Sequence, residues 1–458
     1  MTGSSFESLS VSIRGDTPRG TAGVDGEAAM REIVRSLTIL WVMLVGSAGV
    51  GFTASVLVSA DAVNAGERDN PSVAYNSLHD EYLVVWQNDT TFGIYGQRVS
   101  PTGERLGSWF CISCGSDVIN PDVAYSRASD KYLVVWQYDA GSASPRAIHG
   151  RIIDRFGSGS PWFVIDASTS RNNWYPAVAW NSLLDQFFVV WETILMPSWS
   201  NDGLHHRIVN PNGSLGLSGQ ISTVNPNATF PDVTYNVALD EYLVVWRLDL
   251  SWLAGIDYEI GMIPLDSNGL PTASETLVAA TLDDEWWPSV TTNSQDVYAI
   301  AWSMYWNNPV VGSDASSLMQ FRSSGIPGLV WMNDYLSPHE DRPQWRSPKI
   351  AALGNSGYYV TVTLRMSSDE FDGVYGAIHR FNGFPDGSYE MRVGNLSRWS
   401  DPTSDSVWYP SIAAGPNSFL VVYPVSSATD SKIFALGSFI FTDSFESGDT
   451  TAWSATTP

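Results

Sequence analysis

Lysine is almost missing from this 458-residue chain, occurring only as Lys131, Lys349 and Lys432. Lys and Arg together number 24 against 48 Asp and Glu, which leaves a formal net charge of -24. Sequence-independent nucleic-acid binding depends on Lys and Arg against phosphate, so that function is excluded. Docking on an anionic membrane surface is disfavoured for the same reason. Cysteine is nearly as scarce. Cys111 and Cys114, in Cys-Ile-Ser-Cys, are the only two, too few for a structural zinc site. Of the six His, His205 and His206 are adjacent and on a strand would point opposite ways. No metal and no cofactor is expected.

Aromatic and apolar residues are plentiful. There are 20 Trp, with 44% hydrophobic and 16% charged residues, so the chain can bury a large core and is not disordered. Residues 36 to 60 carry no charge. Met30, Arg31 and Arg35 precede Leu37 to Val45 in the order of a secretory leader's basic and apolar regions. Cleavage options follow at Ala48, Ala54, Ala60 and Ala65. The run is also long enough to span a membrane, but the small residues of Gly46 to Ala54 favour a cleaved leader. Met1 to Ala29 is polar and patternless, so Met30 is the expected true start. Export fits a local disulfide between Cys111 and Cys114.

Internal repeats organise the rest. Asn70-Pro71-Ser-Val-Ala-Tyr75 leads to Tyr82-Leu-Val-Val-Trp86, and Asn120-Pro121-Asp-Val-Ala-Tyr125 to Tyr132-Leu-Val-Val-Trp136. Further copies start at Pro176, Pro231, Pro288, Pro348 and Pro410. From Pro to the residue closing the second strand is 15 positions in five copies, 14 in the fifth and 13 in the seventh. Pro-to-Pro spacing grows along the chain: 50, 55, 55, 57, 60, 62. Each unit reads as four strands, A to D, exemplified by Pro71 to Asn76, Tyr82 to Gln87, Ile94 to Val99 and Trp109 to Ile112. Strand B is apolar on both faces, as stacked sheets require. Seven such units predict an all-β, seven-bladed β-propeller of four-stranded antiparallel blades. The seventh unit has no evident D strand, and Ser55 to Ala60 is expected to supply it and latch the ring. The expected domains are residues 1–29, a leader at 30–54, the propeller at 55–441 and a tail at 442–458.

The pattern P-x-V-A-Y-N…E-Y-L-V-V-W…I-Y-G-Q-R-V resembles the repeat propellers of secreted bacterial proteins. That resemblance implies the fold and a secreted, periplasmic or cell-surface location, and is nearly silent on activity. The repeats do not look like WD40, because no Gly-His…Trp-Asp pair recurs. The sialidase Ser-x-Asp-x-Gly-x-Thr-Trp box and an EF-hand-like loop are also missing. The tail from Phe441 to Trp453 looks like a short ending found on secreted bacterial proteins.

Strand direction places the A-to-B turns on one face and the long B-to-C and D-to-A connections on the other. Asp80, Asp130, Asp185 and Asp240 recur in the turns and are expected to be turn-forming. The opposite face is read as irregular loops, including Glu192 to Gly203, Arg247 to Tyr258 and Ser303 to Ser316. Long loops on a rigid scaffold are where binding usually resides. The expected ligand contacts there are Trp174, Tyr175, Trp199, Trp252, Trp286, Trp287, Trp306, Trp345, Trp408 and Tyr409. Acidic residues are interleaved among them, such as Asp283, Asp284 and Glu285. Flat indole faces beside hydrogen-bonding carboxylates suit a sugar. Trp86, Trp136, Trp191, Trp246 and Trp302 form one repeated core position, and Trp109 and Trp162 another.

His339-Glu340-Asp341-Arg342 is the one cluster suggesting chemistry: a general base and an anion-holding Arg. Two hypotheses follow. One is an exported binding or adhesion propeller, monomeric, recognising an extracellular glycan or protein. The other is a secreted carbohydrate-active enzyme, either a lyase or a hydrolase with two facing carboxylates.

Overall fold

The computed structural model describes residues 50–52, 56–59, 68–115, 117–139, 145–221, 227–253, 256–279, 283–293, 297–308, 312–323, 326–332, 344–354, 358–367, 370–380, 397–398, 406–407, 409–426 and 431–440. For some strand residues only the backbone is described. The described residues lie within one compact unit, Val50–Thr442. The leader's apolar run to Gly49 and the tail beyond Ile440 fall outside them.

Each repeat forms one antiparallel four-stranded sheet. Blade 1 runs outward through Arg68–Asn76, Glu81–Asn88, Gly93–Val99 and Arg105–Cys114. The innermost strands of blades 2 to 6 are Val118–Ser126, Arg171–Asn181, Ala228–Asn236, Asp284–Thr292 and Gln344–Leu353. With Ser411–Ala414 of blade 7 they pack each on the next around a closed ring. The fold is a seven-bladed β-propeller.

Strand B explains why the blades cannot stand alone. In blade 1, Tyr82, Val84 and Trp86 pack against Leu420, Val422 and Ile433 of blade 7. The alternate residues Leu83 and Val85 pack against Val123, Tyr132 and Trp136 of blade 2. Burying each such side chain stabilises by roughly 1.5–3 kcal/mol, an upper figure because unfolded chains already hide some surface. The strand-B tryptophans are buried in every blade that has one. In blade 4 the facing strand supplies Gly261, where a Cβ would lie 2.7 Å from the Trp246 indole. That close approach requires glycine.

Trp109 and Trp162 correct the sequence reading. They are 37% and 54% exposed, because strand D is the rim of each sheet and its outer side has no neighbour. Each ring lies on an aromatic of strand C, Trp109 edge-on to Tyr95 and Trp162 stacked on His149.

The turn face is built by local hydrogen bonds. Asn76 Oδ1 accepts from the Leu78 and His79 N–H groups. Asp80 takes a left-handed φ of 48° and accepts from Tyr75 Oη at 2.9 Å. Asp130, Asp185 and Asp240 repeat the arrangement with Tyr125, Trp180 and Tyr235. These carboxylates are structural.

The ring closes with the N-terminal segment. Val56–Leu57 pairs with Ala435 and Phe434, and the Val58 N–H donates to Ile433 O at 2.8 Å. This is the latch expected at Ser55 to Ala60. Pairing starts earlier, however: Val50–Phe52 pairs with Ile440 to Ser438, inside the stretch assigned to the leader. Cys111 and Cys114 are joined within strand D of blade 1, with Cα atoms 6.1 Å apart.

The inner sheet edges would leave N–H groups unpaired around the channel. In blades 2, 4 and 5 the residue after the strand-A Pro accepts one of them from the next blade. Asp122 accepts from Ser72 Oγ of blade 1 at 2.6 Å and from the Val178 N–H of blade 3 at 2.8 Å. Asp232 accepts from the Val290 N–H of the next blade at 3.0 Å, and Ser289 Oγ from the Ile350 N–H at 3.4 Å. Burial pushes the Asp122 carboxyl up to about 6. Asp232 raises it further, while the Ser72 and Val178 donors and Lys349 oppose the rise.

The latch and the Asp122 bridge each predict a measurable effect. A mature chain starting at Val50 should melt within 1 °C of one carrying additional N-terminal residues. One starting at Gly66 should melt several degrees lower, as read by calorimetry. Asp122→Ala, which strips two charge-assisted bonds from three blades, should cost about 3 kcal/mol in urea unfolding. Ser72→Ala should cost about 1 kcal/mol.

Candidate functional site

The residues before the seven prolines build the site. In blade 1, Asp69 pairs with Gln87 and Ser72 with Val85, so Asn70 and Pro71 together stand opposite Trp86. The same slip occurs at Pro121, Pro176, Pro231, Pro288 and Pro348. These are β-bulges, each bending the strand as it enters the sheet. Proline has no N–H to strand in a bulge, and it disfavours the right-handed helical region for the residue before it. That residue is left-handed in every blade: Asn70 46°, Asn120 52°, Tyr175 48°, Phe230 51°, Trp287 49°, Ser347 50° and Tyr409 25°.

Their side chains meet at one mouth of the channel. Asn70 Nδ2 donates to Asn120 Oδ1 at 2.9 Å. The Tyr175 and Phe230 rings lie 4.5 Å apart. Trp287 of blade 5 reaches Tyr409 of blade 7, edge-on at 6.4 Å, past the small Ser347 of blade 6. Of the seven rosette residues two are amides, four are aromatic and one is serine.

A second tier stands behind it, formed by the residue that follows the closing position of strand B. These residues are Gln87, Gln137, Glu192, Arg247, Ser303, Leu364 and Pro424. Several accept the rosette N–H of the next blade. Gln87 Oε1 takes the Asn120 N–H at 2.8 Å, Ser303 Oγ the Ser347 N–H at 3.1 Å, and the Glu192 carboxyl the Phe230 N–H. The other Glu192 oxygen, Oε2, is buried with no hydrogen-bond partner.

Arg247 lies against three rings, 4.0 Å from Trp286, 4.7 Å from Tyr258 and 4.8 Å from Phe230. Its Nε donates to Thr229 Oγ1 at 2.9 Å. Among the described residues it has no ion-pair partner. On the other flank Arg146 lies 3.8 Å above the Trp174 ring and pairs with Asp139 at 2.6 Å. Burial pushes Glu192 up to about 7, although Arg247 and the Phe230 N–H pull the other way. Burial lowers Arg247 and raises Tyr175, and the Glu192 charge adds to the Tyr175 shift.

The structure brings together Trp174, Tyr175, Trp286, Trp287 and Tyr409 of the expected contacts. Trp286 and Trp287 lie 5.5 Å apart. Trp199 stands apart, 61% exposed at a hairpin tip. For Trp252, Trp306 and Trp345 only the backbone is described, within strands Glu241–Leu253, Val297–Asn308 and Gln344–Leu353. Trp408 and the cluster His339, Glu340, Asp341 and Arg342 lie outside the described residues. The connections read as irregular loops are in fact long hairpins. Strand Gln186–Leu195 turns into Ser200–Val209, Glu241–Leu253 into Ile256–Leu265, and Val297–Asn308 into Gly312–Ser323. The ladder continues past the core because its polar residues still pair backbone to backbone.

Sequence reasoning did not single out Glu192, Arg247, Phe230 or Tyr258. A signal was present: after the strand-B Trp, two blades carry Gln and the next two carry Glu and Arg. Three histidines among the described residues, His149, His205 and His206, pack as structural rings. His149 stacks on Trp162 and Tyr138, and burial lowers it to about 4. His205 lies on Trp191 and His206 on Phe188, on opposite sides of their strand.

Glu192 predicts a pH effect on stability. Its folded pKa is raised, so between about 4.5 and 7 the folded state binds more protons than the unfolded one. Stability from this group therefore falls as pH rises through that window. Glu192→Gln should leave stability at pH 4.5 unchanged and raise it at pH 8.5 by roughly 2–3 kcal/mol, measured by urea unfolding at both pH values.

No family model matches the chain, and no curated protein is similar to it. Solved structures similar to it include the α-L-arabinanase of Penicillium chrysogenum complexed with arabinobiose (12% identity, TM-score 0.48, covering 84% of this chain and 98% of that one). The GH93 α-L-arabinofuranosidase of Fusarium graminearum is 11% identical with a TM-score of 0.47, over 69% of this chain and 92% of that one. Hydrazine synthase of Kuenenia stuttgartiensis is 12% identical with a TM-score of 0.48, over 81% and 99%. At these values the likenesses carry no residue role or activity to this chain.

Proposed function

We propose that this propeller is an exported binding protein that recognises an extracellular carbohydrate at the mouth of its channel. The observation that carries the reading is the mixed rosette with Arg247 and Glu192 behind it. Apolar faces converge with a few fixed polar groups, which is the make-up of a ligand site. Sugar rings offer C–H faces to Tyr175, Trp287 and Tyr409, and hydroxyls to Asn70, Asn120 and the second tier. The site sits on strands, held by bulges and inter-blade hydrogen bonds, so little ordering is needed on binding.

Binding is preferred over catalysis on a specific ground. Asp122 and Asp232 enter the channel region as carboxylates, but each is engaged by backbone N–H groups of the neighbouring blade. They serve the ring. Behind the rosette, Glu192 keeps a buried carboxyl oxygen without a hydrogen-bond partner.

The test is a panel of soluble polysaccharides, assayed with the mature protein for both retention and cleavage. Retention without cleavage is expected. Tyr409→Ala, at an exposed position, should weaken retention about tenfold, or ~1.4 kcal/mol, with the melting temperature unchanged. Trp199→Ala should change nothing. Retention of no polysaccharide would overturn the reading.

A further inference from the structure

We infer that the mouth selects a sugar bearing a carboxylate, with Arg247 gripping that group and Glu192 donating a proton to it or to a neighbouring hydroxyl. This inference rests on the carbohydrate reading above and names the substrate class within it.

The argument begins with Arg247. Its Nε is fixed on Thr229 Oγ1, and its plane is wedged among Trp286, Tyr258 and Phe230. A guanidinium so anchored keeps its terminal N–H groups in one orientation. Among the described residues no carboxylate pairs with them. Other half-buried arginines have their terminal N–H groups engaged, Arg151 by the Ile112 carbonyl and Arg207 by the Ile165 carbonyl, and three meet carboxylates. Arg98 and Arg155 both reach Glu81, at 2.6 and 3.0 Å, and Arg146 reaches Asp139. An oriented fork that makes no ion pair among the described residues, though the Glu192 and Asp249 charges act on it, lies beside aromatic faces and fits a planar carboxylate.

The second observation is independent of the first. Glu192 is 5% exposed, and its Oε2 has no partner while its carboxyl also holds the Phe230 N–H. Glu192 and Arg247 occupy the same repeat position in adjacent blades, so they flank Phe230 and Tyr175 from neighbouring strands. A buried oxygen left open beside the rosette needs a partner. Below neutral pH the carboxyl holds a proton and is a donor, which suits a carboxylate or hydroxyl acceptor. Ionised, it would repel a carboxylate bound to Arg247. The groups that act on this pair include Tyr175 on strand A of Glu192's own blade and Asp249 and Tyr258 beside Arg247. The buried Glu259 follows Tyr258, and the buried Glu285 precedes Trp286, on the strands that touch Arg247. Arg146 and Tyr409 act on Tyr175.

The chain's net charge of -24 repels an acidic polymer at long range. Screening confines that penalty to about 8 Å at physiological salt, so the short-range fork decides.

The test compares oligogalacturonate with its fully methyl-esterified form, which keeps the ring and removes the charge. Calorimetric titration of the wild type at pH 6 should show the acid form binding at least tenfold tighter than the ester. The acid form should bind at least fivefold weaker at pH 8 than at pH 6, and Glu192→Gln should erase that difference. Arg247→Gln should remove the preference for the acid form, so that acid and ester bind alike, and Arg247→Lys should restore part of it. Equal binding of acid and ester by the wild type would overturn the carboxylate assignment and leave the carbohydrate reading standing. Binding of neither, together with no retention on any neutral polysaccharide, would overturn both. The acid-to-ester comparison uses the wild type, so it stands whether or not a variant folds.

Discussion

The constraint on which everything else depends is that strand B has two apolar faces. Tyr82, Val84 and Trp86 need blade 7, and Leu83 and Val85 need blade 2. A single blade would expose one of these faces to water, and an open row would expose one at each end. Only a closed ring buries all of them. Closure in turn fixes the seven inner strands around a channel and brings their free edges together, and Asp122, Asp232 and Ser289 answer those edges by reaching to the next blade.

The site follows from the same geometry. Each strand A must enter the crowded centre at an angle, and the bulge at X-Pro supplies the bend. Its by-product is a left-handed residue at seven equivalent places. A bulky L-residue in that conformation carries a cost of order 1–2 kcal/mol. Tyr175, Phe230, Trp287 and Tyr409 nonetheless occupy it in four blades, where glycine or asparagine would be less strained. The scaffold repeats while the side chains at its centre do not, and the proposed ligand site lies where they diverge.

Much of the fold was legible because spacing and strand pattern recur. Constant Pro-to-Trp intervals fixed the blade, the turn aspartates behaved as turn residues, and the missing seventh D strand pointed to Ser55–Ala60. Other features were less readable. Trp109 and Trp162 share the residue type of the core tryptophans, yet they lie on the rim, because sequence period does not reveal which side of strand D lacks a neighbour. The hairpins after Trp191, Trp246 and Trp302 read as loops, since backbone pairing can carry polar residues such as Asn201 and Asp249 without an apolar signal. Glu192 and Arg247 were hidden as first residues of supposed loops. Aligning the repeats on their Trp would have exposed them as the two charged members of one position.

The central claim is that the X-Pro bulges present a ligand site at one mouth of the channel. A crystal structure of the protein bound to an acidic oligosaccharide tests it most directly. The account predicts a sugar ring against Trp287 and Tyr409, with its carboxylate on Arg247. A ligand bound instead on the rim, over Trp109 and Trp162, with the mouth empty, would contradict it.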